Sequence, residues 1–241
     1  ELGLKKIQSK ILTAENLAKK KAETLAKKKA EEKAYKNAKL AYDNKNYQRA
    51  YREFLILANT GNEKAQNYIG FMYDLGYGVA KDYKLAVSWY RKAANQGYDL
   101  AQTNLGFMYD MGYGVTQDYK LAVSWYQKAA NQGYSSAQNH LGYMYRNGYG
   151  VKKDHELAVS WYRKAANQGN SSAQTNLGYM YMKGYGVAKD YKLAVSWNQK
   201  AANQEYSRAQ ANLGWMYRKG YGVKKDDELA FSWYRKAANQ G

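Results

Sequence analysis

A period of 36 residues governs this chain. The phrase Gly-Tyr-Gly-Val opens at Gly76, Gly112, Gly148, Gly184 and Gly220, each copy 36 residues after the last. The surrounding unit recurs with it. One copy reads AQNHLGYMYRNGYGVKKDHELAVSWYRKAANQGNSS, from Ala137 to Ser172, and the others open at Ala65, Ala101, Ala173 and Ala209. A fixed period of about 20–50 residues marks stacked supersecondary units, none of which buries its own apolar face alone. The phrase is therefore either a repeated binding loop or the punctuation of a repeated fold.

Each unit reads as two helices. Ala65, Ile69, Met72 and Tyr73 recur at helical spacing, and Gly76 follows as a stop. Asp82 is a good N-cap for a second helix, on which Leu85, Ala86, Trp89 and Ala93 share an apolar face before Gly97 ends it. The chain has no proline, which suits continuous helices. Gly76 and Gly78 then supply the positive φ needed to reverse direction between antiparallel helices. A phosphate cradle would need a helix N-terminus and a lysine at set spacing, and that pattern is missing. Gly70, Gly106, Gly142, Gly178 and Gly214 fall inside the first helices, each costing about 1 kcal/mol against alanine. Close approach of a second helix, with Ala86 or Ala93 and their equivalents opposite, is the expected compensation.

The unit AQNHLGYMYRNGYGVKKDHELAVSWYRKAANQG resembles a Sel-1-like repeat, of the class related to tetratricopeptide repeats, and the resemblance covers residues 65–241 in five copies. AYKNAKLAYDNKNYQRAYREFLILANTGN, residues 34–62, resembles a degenerate leading pair with a shorter turn, giving a 35–64 leading segment. The resemblance implies an all-α fold, a right-handed α/α superhelical solenoid with first helices lining the concave face. It also implies an adaptor for protein complexes, as in bacterial envelope, secretion or host-interaction systems.

Residues 1–34 differ. Leu4, Ile7, Ile11, Ala14, Ala18 and Leu25 follow a 3.5-residue rhythm between lysine clusters, reading as an amphipathic helical extension with a thin seam. It is a solvated extension, a groove-filling or dimerising arm, or a basic helix in weak contact with an anionic membrane. The net charge is +18, of which residues 1–40 supply +7 through twelve lysines against five glutamates. An acidic partner follows from that balance. Absent cysteine removes disulfides, thiolate metal sites and cysteine nucleophiles. No apolar run is long enough to span a membrane. The chain opens at Glu1 rather than methionine, which favours a processed form and a periplasmic or secreted setting. It stops at Gly241 directly after a second helix, where a solenoid needs a polar end.

The copies agree even at positions read as surface, such as the Asn-Gln-Gly endings, so identity between copies does not mark function and differences do. On a helical wheel Asn67, Phe71 and Asp74 oppose the core. Their equivalents are Thr103, Phe107, Asp110; Asn139, Tyr143, Arg146; Thr175, Tyr179, Met182; and Ala211, Trp215, Arg218. The middle residue is always aromatic, and the third changes from acidic to basic, with Lys183 and Lys219 adjacent. Aromatics and arginines anchor protein interfaces, so this ladder is the candidate site for a partner polypeptide. The alternative is that the rings pack sideways on neighbouring helices.

Other classes fit less well. Aromatics with basic charge could stack the bases of single-stranded nucleic acid, but Asp74 and Asp110 are poorly placed for phosphate. His140 and His155 stand at different places in one repeat, so no catalytic constellation forms. Family members linked to β-lactam binding are rich in cysteine, and here Ser88 precedes Trp-Tyr-Arg rather than completing a Ser-x-x-Lys motif. Asp43-Asn44-Lys45-Asn46 lacks the later ligands of a calcium loop and reads as a turn. Asn170-Ser171-Ser172 is a formal glycosylation sequon. No cofactor is expected. Within protein binding, a general adaptor competes with an immunity role, in which the solenoid occludes a secreted toxin such as a type VI phospholipase effector. The fourth copy departs twice, with Asn198 for tyrosine and Glu205 for the terminal glycine, so its second helix is expected to fray or end differently.

Overall fold

The computed structural model describes residues 2–240, and side chains from Glu15 onward. The described residues form α1 (Leu2–Asp43), α2 (Tyr47–Asn59), α3 (Glu63–Leu75), α4 (Tyr83–Asn95), α5 (Asp99–Met111), α6 (Tyr119–Asn131), α7 (Ser135–Asn147), α8 (His155–Asn167), α9 (Ser171–Lys183), α10 (Tyr191–Ala202), α11 (Ser207–Lys219) and α12 (Asp227–Ala238), with no strand among them. Two compact units divide the chain, residues 1–92 and 93–241, and the division falls within α4. The architecture is an all-helical α/α solenoid in which consecutive helices pack in pairs.

In the first unit α1 runs without a break through residue 34, so the basic extension and the first helix of the leading pair are one 42-residue helix. Leu17 and Leu25 are exposed, and Asn62 Nδ2 donates to Glu31 Oε1 at 2.7 Å. The side chains of Leu4, Ile7, Ile11 and Ala14 lie outside the described residues. Ala38, Ala50, Phe54, Ala65, Ile69 and Met72 form the core, with Tyr68 stacked on Phe54 at 4.5 Å. Residues 43–46 carry α1 into α2 through Lys45 at φ 59°, and Asn46 caps α2.

In the second unit α5 to α12 alternate as first and second helices. Asp118, Asp154, Asp190 and Asp226 cap the second helices, each accepting from the backbone N–H three residues on. The first helices end on left-handed glycines. The second glycine of the repeated phrase has a further task. At Gly150 and Gly186, with φ of 68° and 66°, an added Cβ would stand 2.3 Å from the carbonyl oxygens of Tyr119 and His155. Those carbonyls open the second helix of the preceding repeat. The tyrosine between the glycines stacks at the same joint: Tyr149 on Tyr119 at 5.0 Å, Tyr185 on His155 at 4.8 Å and Tyr221 on Tyr191 at 4.6 Å. Within the first unit Tyr77 stacks on Tyr47 at 4.4 Å in the same way. The phrase is punctuation that also fastens one repeat to the last.

Two expectations need correction. The helix-interior glycines do not face alanine side chains. A Cβ on Gly106 would meet Tyr126 Cδ1 at 2.8 Å, and one on Gly142 would meet Tyr162 Cδ1 at 2.6 Å. The tyrosine ring lies flat across the glycine, and the alanine equivalent to Ala86 contributes only its backbone, as Ala122 O at 3.3 Å from Gly106. Leu85 is correspondingly exposed, although Ala86 and Ala93 are buried.

The Asn-Gln-Gly endings are also not idle surface. Gln132 Nε2 donates to Gln102 Oε1 at 2.8 Å, Gln168 to Gln138 at 2.8 Å, Gln204 to Gln174 at 2.9 Å and Gln240 to Gln210 at 2.9 Å. Each receiving glutamine is buried and spends its own amide on an alanine carbonyl of the preceding helix, as Gln138 does on Ala130 O at 3.2 Å. This ladder satisfies buried amides across successive repeats.

In the fourth repeat Glu205 takes the left-handed place of the glycine at φ 61°. The turn keeps the hydrogen bonds of the other repeats, and α10 stops at Ala202, one residue before the position at which α6 and α8 stop but level with the end of α12. Asn198 is buried, donating to Ala194 O at 2.8 Å and accepting from Asn212 Nδ2 at 3.0 Å.

Candidate functional site

The candidate rows fall in both units. In the first unit Asn67 is buried, Phe71 lies half-buried between Tyr42 at 6.3 Å and Tyr77 at 6.5 Å, and Asp74 accepts from Tyr90 Oη at 3.5 Å. Burial pushes the Asp74 carboxyl above its usual range, against the pull of Lys81.

In the second unit the rows stand on α5, α7, α9 and α11. Their leading members sit deep. Thr103 and Thr175 are buried, their hydroxyls donating to Asp99 O and Ser171 O one turn back. Thr175 lines the groove beside Tyr179, and Thr103 does not. Asp110 is 4% exposed and accepts from Tyr126 Oη at 3.4 Å, and burial pushes its pKa up.

The rings occupy a middle ground. Each leans on the tyrosine of its own turn: Phe107 on Tyr113 at 6.1 Å, Tyr143 on Tyr149 at 5.9 Å, Tyr179 on Tyr185 at 6.2 Å and Trp215 on Tyr221 at 5.0 Å. Sideways packing is therefore real. It leaves Tyr143 at 37% and Trp215 at 36% exposed, with Phe107 and Tyr179 partly so. Arg146 bridges consecutive rows, its guanidinium 5.2 Å from the Tyr143 ring and 5.6 Å from that of Tyr179. Met182 is half-buried on α9, and Arg218 is exposed on α11.

Two adjoining cavities share this face. One, of about 520 Å³, is walled by Phe107, Asp110, Tyr143 and Arg146 together with Asn176, Tyr206 and Arg208. The other, of about 310 Å³, is walled by Tyr179, Met182, Asn198, Asn212 and Trp215, and again by Arg208. The four rows thus meet along one groove of the second unit. Sequence reasoning missed Arg208, which enters from the first turn of α11 rather than from a row position. His140, set aside as a catalyst in the sequence, stacks its ring on Tyr126 at 4.7 Å, and burial pushes its pKa down to about 4. Among the described residues no cluster of histidines and carboxylates could hold a metal.

On the outer helices a separate regularity covers the tryptophans: Lys128 lies 3.9 Å from the Trp125 ring, Lys164 4.1 Å from Trp161 and Lys200 4.1 Å from Trp197. Those cations are engaged by a ring one turn away on their own helix.

The family model for the Sel1 repeat matches residues 63–98, 99–134, 135–170, 171–206 and 207–241. Among solved structures the chain is similar to a Sel1 repeat protein from Oxalobacter formigenes, with 40% identity, a TM-score of 0.80, and 86% of this chain and 84% of that one covered. It is also similar to a protective antigen present in uropathogenic Escherichia coli strains, with 38% identity and a TM-score of 0.74; 89% of this chain is covered but only 47% of that longer one. An immunity protein from Pseudomonas aeruginosa shares the fold at 22% identity and a TM-score of 0.60, over 87% of this chain and 81% of its own. No curated protein matches the chain.

Proposed function

The chain belongs to the Sel1 repeat family, and from that premise we propose that it is a non-catalytic bacterial scaffold that grips a partner polypeptide in the groove of its second unit. The observation that carries the reading is the pair of half-exposed rings, Tyr143 and Trp215, lining adjoining cavities that Arg146 and Arg208 also line. Flat aromatic faces beside guanidinium groups are the usual anchors of a protein interface. The contact set is narrower than the full ladder. It comprises Phe107, Tyr143, Arg146, Tyr179, Met182, Trp215 and Arg218, while Thr103, Thr175 and Asp110 are buried. Asn67, Phe71 and Asp74 form the corresponding row of the first unit. The likeness to a protective antigen of a pathogenic bacterium supports an envelope or host-interaction setting over a housekeeping one. A neutralising role against a secreted toxin would use the same groove.

The test is replacement of Tyr143 and Trp215 by serine, followed by affinity capture from the native organism beside the unchanged protein. Both side chains are more than a third exposed, so melting should stay within about 1 kcal/mol of the parent. Loss of a specifically captured protein with unchanged melting is expected. Equal capture by parent and variant would overturn the reading.

A further inference from the structure

The third position of each row is linked to the tyrosine that covers the interior glycine. Where it is Asp74 or Asp110, the carboxylate accepts from Tyr90 or Tyr126. Where it is Met182, the tyrosine is gone and Asn198 stands in its place. The third and fifth repeats break the linkage: their third positions are Arg146 and Arg218, yet Tyr162 and Tyr234 remain over Gly142 and Gly214. Tyr162 is fully buried, with its hydroxyl left without a hydrogen-bond partner. A guanidinium has no acceptor to offer a phenol. The same hydroxyl lies within the field of Arg208, which reaches the cavity from α11. Among the described residues neither Arg146 nor Arg208 has an ion-pair or hydrogen-bond partner. Two guanidinium groups without an ion-pair or hydrogen-bond partner therefore line one cavity of about 520 Å³, Arg146 resting on the Tyr143 and Tyr179 rings.

We propose that Arg146 and Arg208 form a carboxylate-binding subsite of the groove, taking an acidic group of the bound polypeptide. A carboxylate supplies the acceptors that both guanidinium groups lack, and guanidinium groups bind it through paired hydrogen bonds. The walls agree with a peptide rather than a phosphate chain. Phe107, Met111, Tyr143 and Tyr206 offer apolar contact around the charge. A nucleic acid needs cations along its whole track, whereas this cavity supplies one pair.

The inference rests on the protein-binding reading above, and its test separates the two. A synthetic pool of random peptides with free chain ends is captured on the immobilised full chain and sequenced by mass spectrometry. The recovered peptides should share an aspartate, a glutamate or a required free C-terminus. Neutralising that one carboxylate, by Asn or Gln in the first case and by amidation in the second, should weaken binding roughly ten- to hundredfold. The two arms identify which carboxylate enters. The Arg146→Asp, Arg208→Gln variant should show the same loss. Arg146→Asp also restores the carboxylate that Tyr162 lacks, so the variant should melt no lower than the parent and the loss cannot be charged to unfolding. Peptides recovered without any acidic requirement and held equally by the variant would overturn the subsite while leaving protein binding intact. Recovery of no peptide, with salt-sensitive binding of a single-stranded RNA oligonucleotide instead, would overturn both.

Discussion

The third and fourth repeats, residues 135–170 and 171–206, share a backbone plan and solve its central packing problem differently. In the third, Tyr162 lies across Gly142 and Gly169 closes the second helix. In the fourth, Asn198 faces Gly178 and turns its amide inward to Ala194 and Asn212, and Glu205 closes α10 with a left-handed backbone that carries a side chain. Asn198 lines the 310 Å³ cavity beneath Trp215. A period fixed by packing can thus tolerate a local change of packing.

The comparison breaks first where the two repeats are alike. Gly150→Ala and Gly186→Ala each place a methyl 2.3 Å from a carbonyl oxygen of the preceding repeat, at a positive φ. Both should lose about 4 kcal/mol or fail to fold. Denaturant unfolding that finds either one mild would show that the joint gives way. The next contrast exchanges the distinguishing residues. Tyr162→Asn removes a fully buried ring and should cost about 3 kcal/mol. Asn198→Tyr should gain about 1 kcal/mol and fill the cavity beside Trp215. Equal and small effects of both, by calorimetry, would mean that the ring is not what holds α8 on α7. The smallest effect lies at the helix end. Glu205→Gly relieves the left-handed backbone and should add about 1 kcal/mol, while slowing amide exchange over the last turn of α10. Unchanged exchange there would show that the shortened helix owes nothing to Glu205.

The period, the paired helices, the aspartate caps and the core face at Ala65, Ile69 and Met72 were all legible in the sequence, because each rests on local chemistry at helical spacing. The partner of the interior glycines was not. Tyrosine carries a polar end, so a wheel assigns Tyr126 to the rim of an apolar face, whereas a glycine opposite makes room for the whole ring. The glutamine ladder was equally hidden, since its partners lie 30 residues apart and neither is apolar. For the candidate groove the wheel found the rings but overcounted their neighbours. It treats a helix as having two sides, core and solvent. In the second unit a first helix is flanked on both sides as well, which covers Thr103 and Thr175 and leaves the rings only partly clear. Arg208 escaped because a residue of the first helical turn can reach into a cavity that its own wheel position does not face.

The joint between repeats carries an evolutionary consequence. It asks for a glycine on one side and the opening peptide of a helix on the other, and it does not depend on which copy supplies either. Replication slippage that deletes or duplicates one whole unit therefore rejoins cleanly, whereas a shift by any fraction of a unit puts a side chain where the carbonyl must pass. Lineages can lengthen or shorten the solenoid in single steps without redesigning a fold, and selection is then left to edit the few positions at which the copies have drifted apart.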